Sequence, residues 1–132
     1  MKQYAILTLH TIVVTCSVAS YFWVDRTTWA YGGAAWEYWT ATWEARLKVP
    51  EGTLQLPESG DAFDKIDEEM ALLRHRARDA YFWREMAWYT SLGLFLLSVL
   101  LLALLRSKMA ILSFVICLVA TSFAFERWGI RF

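Results

Sequence analysis

Three long stretches without a charged residue constrain this chain more than any other feature. Residues 3–24, 87–105 and 109–125 contain no Asp, Glu, Lys or Arg over 22, 19 and 17 positions. A helix needs about 20 apolar residues, with about 17 as a lower limit, to cross a hydrocarbon core of about 30 Å. The strands of a membrane barrel would alternate, which the apolar run at residues 92–105 does not. The sequence therefore predicts an all-α integral membrane protein with three transmembrane helices.

The composition of the chain agrees with this class and excludes others. Apolar residues make up 58% of the 132 positions, above the roughly 45–50% of a soluble domain. The 13 basic and 13 acidic residues cancel, so we expect no nucleic-acid partner, which would require a basic surplus. No P-loop, HExxH sequence or nucleophile elbow is present, and the two cysteines lack metal-ligand spacing. We therefore expect neither an enzyme nor a metal site.

Charges, prolines and glycines divide the chain into four segments. The segments are transmembrane helix 1 (1–24), an extramembrane tryptophan-rich amphipathic helix with a Pro/Gly linker (25–60), a long heptad-patterned helix that continues into transmembrane helix 2 (61–105), and a short basic turn with transmembrane helix 3 and a C-terminal tail (106–132). A cleaved signal peptide is the alternative for the first segment, because Ser17, Val18 and Ala19 resemble a cleavage site. The greater length of its apolar run favours an uncleaved anchor.

Tryptophans are concentrated in the second segment. Trp36, Trp39, Trp43 and Leu47 fall on one face of a candidate helix at residues 34–48, which Gly32-Gly33 and Pro50 bracket. An aromatic stripe this close to a membrane exit predicts a helix in the membrane interface or a contact with a partner. Packing within the chain is the alternative. The predicted contact residues are Trp29, Trp36, Trp39 and Trp43.

The third segment carries apolar residues at alternating spacings of three and four, which is the pattern of a coiled-coil seam. Phe63, Ile66, Met70 and Leu73 begin this stripe, and we expect them to contact a partner or the tryptophan-rich helix of the same chain. A homodimeric coiled coil is the alternative. Asp61 is a suitable N-cap, and neither Gly nor Pro interrupts the residues from there to Leu92.

A few polar side chains lie within the predicted spans. His10 lies about a third of the way into the first span, where an ionisable residue is a functional candidate. A hydrogen bond to another helix is the favoured role, and ligation of a haem or pigment is the alternative, although we expect no cofactor. Hydroxyl side chains allow close helix packing, and the candidates for this role are Thr8, Thr11, Thr15, Ser91 and Ser98.

Basic residues give conflicting signals about orientation. The short hairpin with Arg106 and Lys108 favours the cytoplasm, as does Lys2. This places residues 25–86, which carry 8 basic and 12 acidic residues, outside. Arginines near the second span favour the opposite topology. We predict a cytoplasmic N-terminus in a bacterial inner membrane.

The function predicted from these features is that of a small accessory or structural subunit of a larger multi-subunit membrane complex. Its partners would be the lipid bilayer and other membrane-protein subunits, with a homo-oligomer as the alternative. Two other functions stay open. One is a homo-oligomeric channel, pore or small transporter, and the other is a pigment- or haem-associated membrane protein that uses His10.

Overall fold

The structure of the chain is a computed structural model that describes residues 2–47 and 61–128, with side chains from residues 3–47 and 68–128. It contains three helices in these ranges, α1 (Lys2–Leu47), α2 (Asp61–Leu105) and α3 (Lys108–Trp128). All three are long and apolar enough to cross a membrane. The prediction of an all-helical chain with three such helices is confirmed. The predicted linker and the C-terminal tail lie outside the described residues.

Contacts between the helices define their directions. His10 of α1 lies against Ser113 of α3, and Asp25 lies against Arg127, so α1 and α3 are parallel. In contrast, Tyr31 packs on Tyr81 and Tyr38 lies beside Arg74, so α2 runs antiparallel to α1. Each helix contacts both of the others. The N-terminus of α1 and the turn between α2 and α3 therefore lie at the same end of the molecule.

The molecule has two parts because α3 is much shorter than its neighbours. At 1.5 Å per residue, α1 and α2 are each about 68 Å long, whereas α3 is about 32 Å long. We call the part that contains all three helices the bundle. The remaining parts of α1 and α2 form an arm of two helices. The arm runs from about residue 29 to Leu47 in α1 and from about residue 83 back to Asp61 in α2.

Buried residues repeat at the three-four spacing along every helix. In α1 they include His10, Val13, Ser17, Ser20 and Val24, and in α3 they include Ala110, Ser113, Cys117, Ala120 and Ala124. The same spacing links Ala87, Ser91, Ser98 and Leu101 of α2. Such a repeat keeps each buried stripe facing its neighbours along the whole length of a left-handed coiled-coil bundle.

The structure differs from the sequence prediction at Gly32 and Gly33. Instead of a separate helix at residues 34–48, α1 continues through both glycines to Leu47. A glycine inside a helix costs about 1 kcal/mol relative to alanine. Tyr31 and Tyr38 pack against α2 on either side of the pair, and this packing holds the helix continuous. The predicted boundary between the first span and the tryptophan-rich helix is absent.

The turn between α2 and α3 is short, as predicted, although it contains neither Gly nor Pro. Arg106 has a φ of 45°, the left-handed conformation that usually ends a helix at glycine. Its backbone N–H donates to the Leu102 carbonyl at 3.1 Å. The Ser107 hydroxyl then accepts the Ala110 N–H at 3.1 Å, which caps α3. Two residues are therefore enough to reverse the chain.

Candidate functional site

The outer face of α1 in the arm consists of exposed tryptophans. Trp36, Trp39 and Trp43 are 73%, 66% and 62% exposed, and Leu47 at the end of the helix is 70% exposed. Trp29 lies on the same face, closer to the bundle. We call these five residues the tryptophan face. The three-four spacing predicted the shared face. The structure leaves it exposed, although the Arg127 guanidinium of α3 lies over the Trp29 ring at 6.0 Å.

The opposite side of α1 packs on α2 along the arm. The Arg74 guanidinium lies over the Tyr38 ring at 5.8 Å and donates to the Tyr38 hydroxyl at 3.3 Å. The Thr42 hydroxyl oxygen lies 3.7 Å from the Met70 sulfur. Met70 and Leu73 are half-buried at this seam. The apolar stripe of α2 thus packs inside its own chain, whereas the side chains of Phe63 and Ile66 lie outside the description.

A cluster of arginines and aromatic rings joins the bundle to the arm. The Arg84 guanidinium lies 4.6 Å from the Tyr31 ring centroid, 5.2 Å from that of Tyr81 and 5.5 Å from that of Trp128. Each ring comes from a different helix, so a single cation-π cluster ties all three helices together. Arg84 is one of the arginines near the second span that favour the opposite topology, and it interrupts the apolar stripe of the long helix. Its position within the heptad stripe, next to aromatic residues, was the signal for this contact.

Two further contacts fix the level at which the bundle ends. Arg127 Nε lies 3.0 Å from Asp25 Oδ1, which is the distance of an ion pair although the N–H is not aligned as in a hydrogen bond. Trp88 stacks on Trp128 with ring centroids 5.4 Å apart. The nearby Glu85 raises the pKa of the Tyr81 hydroxyl through a hydrogen bond and its negative charge. Tyr81 is therefore neutral at physiological pH and remains a suitable ring for Arg84.

His10 is buried between α1 and α3, with 2% of its surface exposed. Its Nδ1 lies 3.0 Å from the Ser113 hydroxyl oxygen, and the Ser113 hydroxyl donates to the Ala110 carbonyl at 3.0 Å. A serine has one hydroxyl proton, so a hydroxyl that donates to the Ala110 carbonyl can only accept a hydrogen bond from Nδ1 of His10. Nε2 of His10 has no partner among the described residues. The predicted hydrogen bond to another helix matches this geometry.

The buried position of Nε2 bears on cofactor binding. Nε2 is buried, so a flat macrocycle cannot approach it in this arrangement. Ser113, Thr11 and Thr15 line a cleft of about 190 Å³ beside the ring, which opens between α1 and α3. The residues present at His10 therefore do not fit a haem or chlorophyll. Among the described residues, no three His, Cys, Asp or Glu side chains form a group that could hold a metal ion.

Small hydroxyl side chains fill the middle of the bundle. Ser17, Ser91 and Ser98 are at most 1% exposed, and Thr121 is 5% exposed. Two apolar clusters enclose this level, one formed by Val13, Leu101 and Cys117 and the other by Val24, Ala87 and Ala124. Small residues at such a level allow helix backbones to approach closely.

The sequence predicts that five hydroxyl side chains pack the helices together. Ser91 and Ser98 lie in the interface between the helices. Thr8, Thr11 and Thr15 instead lie on the exposed side of α1. The hydroxyls of Thr8 and Thr11 donate to the carbonyls of Tyr4 and Leu7, four residues earlier in the helix. Ser17 and Ser20 are buried in their place, on the neighbouring stripe.

Comparisons of the chain with protein-family models, curated proteins and solved structures found no match. The fold defines a class nonetheless: an all-helical protein whose three apolar helices fit a membrane protein.

Proposed function

We propose that the chain is a small accessory subunit of a larger membrane complex. In this proposal the bundle spans the bilayer and the arm holds the tryptophan face against another subunit. Within the most apolar window of each helix, only 22%, 17% and 33% of the residues are buried inside the chain. Such an outward-facing apolar surface is expected where lipid or neighbouring helices surround a bundle.

The exposure of the tryptophan face carries the proposal. A buried tryptophan contributes a contact area of about 150–250 Å², and exposed apolar patches of several hundred Å² usually mark interaction sites. Trp36, Trp39 and Trp43 are each more than 60% exposed on one side of the arm. The other side of α1 is already used by α2. A surface of this kind is stable when a partner covers it.

The length of α1 favours a protein partner over the membrane surface. Arg26 lies at the level of the Asp25–Arg127 pair, where α3 and hence the bundle end. Trp39 is 13 residues further along the same continuous helix, which is about 20 Å. The headgroup region extends only about 5–8 Å beyond each side of the hydrocarbon core. A helix that stands across the bilayer therefore carries Trp39 beyond the lipid.

The arm also argues against the homodimeric coiled coil on the stripe of α2. Met70 and Leu73 pack against α1 of the same chain, and Arg74 contacts Tyr38. A second copy of α2 would have to displace α1 from this stripe. A homo-oligomer built through the tryptophan face remains compatible with these contacts.

For orientation we propose a cytoplasmic N-terminus in a bacterial inner membrane. Lys2, Arg106 and Lys108 lie at one end of the bundle, since α1 begins where the two-residue turn reverses the chain. A short basic loop favours the cytoplasm. A helical bundle suits an inner membrane, because bacterial outer membranes host β-barrels. A reporter that is active only outside the cytoplasm should be active when it is fused after residue 132. Activity of a reporter that works only in the cytoplasm would show the opposite topology.

A photo-crosslinking experiment tests the subunit proposal. A benzophenone amino acid at Trp39 should give one discrete adduct with a different protein in native membranes. The same group at Leu72, an exposed apolar residue on α2 of the arm, is the matched control and should give little adduct. An adduct with the mass of two copies of this chain would favour the homo-oligomer, and adducts with lipid alone would contradict the proposal.

Co-purification provides the second part of the test. The triple variant Trp36→Ala, Trp39→Ala and Trp43→Ala should purify without the crosslinked protein, because these side chains supply the contact area. Its helix content should be unchanged, since the three side chains face away from α2. Retention of the partner by the triple variant would contradict the proposed surface.

The channel alternative rests on the buried hydroxyls. Ser17 Oγ, Ser91 Oγ and Thr121 Oγ1 have no hydrogen-bond partner among the described residues. However, apolar clusters close the bundle on both sides of this level. A single copy therefore contains no continuous polar path. Ion flux into vesicles that contain only this chain would favour the channel over the subunit.

A further inference from the structure

A groove between α1 and α2 lies at the level where the bundle ends. It has a volume of about 330 Å³ and is lined by Trp23, Arg26, Thr27, Ala30, Ala80 and Trp83. Trp23 and Trp83 approach each other across it, with ring centroids 6.4 Å apart. The small side chains of Ala30 and Ala80 leave its outer end open. This volume is at the lower end of the range for ligand sites.

The groove is on the side of the helix pair that α3 leaves uncovered. Tyr21 and Asp25 contact Phe123 and Arg127 of α3. Trp23 and Thr27 are each two residues further along α1, on the other side of the helix, and face the groove instead. Its walls are therefore complete without α3, and its opening faces the surroundings of the bundle.

Arg26 provides an uncompensated positive charge at the groove. No acidic side chain of residues 3–47 or 68–128 forms an ion pair with it, because the neighbouring Asp25 is held by Arg127. Arg26 is exposed, so its guanidinium is available to a ligand. A planar guanidinium binds a phosphate through two parallel hydrogen bonds. The groove therefore combines a phosphate-binding cation with two aromatic walls.

We propose that this groove binds the phosphodiester headgroup of an anionic phospholipid. The inference rests on the proposal that the bundle spans a bilayer, because the headgroup layer then lies at the level of Arg26. Tryptophan rings favour this layer, and Trp23, Trp83, Trp88 and Trp128 all lie near it. An anionic headgroup is favoured over a zwitterionic one because it brings no ammonium group that repels Arg26.

Native mass spectrometry of the full chain in detergent tests the lipid site. The wild type should bind one phosphatidylglycerol more tightly than phosphatidylcholine. Arg26→Gln should weaken the first phosphatidylglycerol by about five-fold, the effect of roughly 1 kcal/mol per basic residue at an anionic surface. Arg78→Gln is the matched control, since Arg78 is an exposed arginine of α2 outside the groove. It should bind phosphatidylglycerol as the wild type does.

A second variant separates the groove from simple charge attraction. Ala30→Leu fills the groove from its exposed edge and leaves Arg26 in place, so it should also weaken the first phosphatidylglycerol. Equal binding by the wild type and Arg26→Gln, or an equal loss in Arg78→Gln, would overturn the proposal. No effect of Ala30→Leu, or displacement of the lipid by millimolar inorganic phosphate, would also overturn it. The crosslink at Trp39 is measured independently, so failure of either proposal is distinguishable from failure of the other.

Discussion

The bundle and the arm are built from the same two helices with the same three-four spacing, but they bury different residues. In the bundle the seam between α1 and α2 contains Ser17, Ser20, Ser91 and Ser98. In the arm the seam alternates large side chains with alanines. The large ones are Tyr31, Tyr38, Met70 and Leu73, and the alanines include Ala34, Ala41, Ala77 and Ala80.

The difference follows from the proposed surroundings of the two parts. Lipid is as apolar as leucine, so burial of large apolar side chains does not drive helix association there, and small residues that allow close contact do. In water, burial of apolar area supplies the stability, at about 25 cal/mol per Å². The spacing of a seam therefore predicts which face is buried, whereas the size of its residues indicates the solvent.

The largest expected effect is in the middle of the bundle. Ser98 is fully buried, so Ser98→Leu forces extra volume between closely packed helices. We expect a loss of about 1–3 kcal/mol in the free energy of unfolding, measured in detergent. Ala103→Leu, at an exposed position of α2, is the control and should be nearly neutral. Equal effects of the two variants would show that the seam is not closely packed.

A smaller effect is expected at the turn that closes the bundle. Ser107→Ala removes the acceptor of the Ala110 N–H at the start of α3. The loss of an N-cap costs about 1 kcal/mol. Ser122→Ala is a suitable control, because the Ser122 hydroxyl is exposed and only returns to the Leu118 carbonyl. If Ser107→Ala and Ser122→Ala unfold alike, Ser107 does not act as the cap.

The smallest effect is expected in the arm at Gly32. Nothing lies within 4 Å of a methyl group added at Gly32 or Gly33, so alanine fits at either position. Gly32→Ala should stabilise the arm by about 0.5–1 kcal/mol, because glycine is the poorer helix former. Hydrogen exchange of the arm amides should slow by a few-fold. Gly32→Pro, in contrast, should speed it, and an unchanged rate in both variants would contradict a continuous helix.

The sequence predicted the elements better than their connection. The charge-free stretches gave the number of helices, and the acidic start at Asp61 and the end at Leu105 match the bounds of α2. The glycine pair suggested a helix boundary that packing against α2 overrides. The contacts of Tyr31 with Tyr81 and of Tyr38 with Arg74 join residues 50 and 36 positions apart, so no local pattern contains them.

The candidate sites were predictable to a similar degree. The three-four spacing identified the tryptophan face and the stripe with Met70 and Leu73, because periodicity assigns residues to a face. It did not identify Ser113 as the partner of His10, since that contact joins residues 103 positions apart. The choice between the threonine stripe and the serine stripe of α1 likewise depended on where α2 and α3 lie.

The proposed function requires α1 to carry Trp36, Trp39 and Trp43 beyond the lipid, and the depth of Trp39 in a membrane can be measured. A spin label at Trp39→Cys, with Cys16 replaced by serine and Cys117 buried, would be compared in vesicles with one at Ile12→Cys, near the middle of the first span on the exposed side of the bundle. The label at position 39 should collide mainly with a polar nickel reagent, and the label at position 12 mainly with oxygen. If the label at position 39 instead collides mainly with oxygen and its depth matches the headgroup region, this face lies in the membrane interface. That result would contradict a protein partner beyond the lipid.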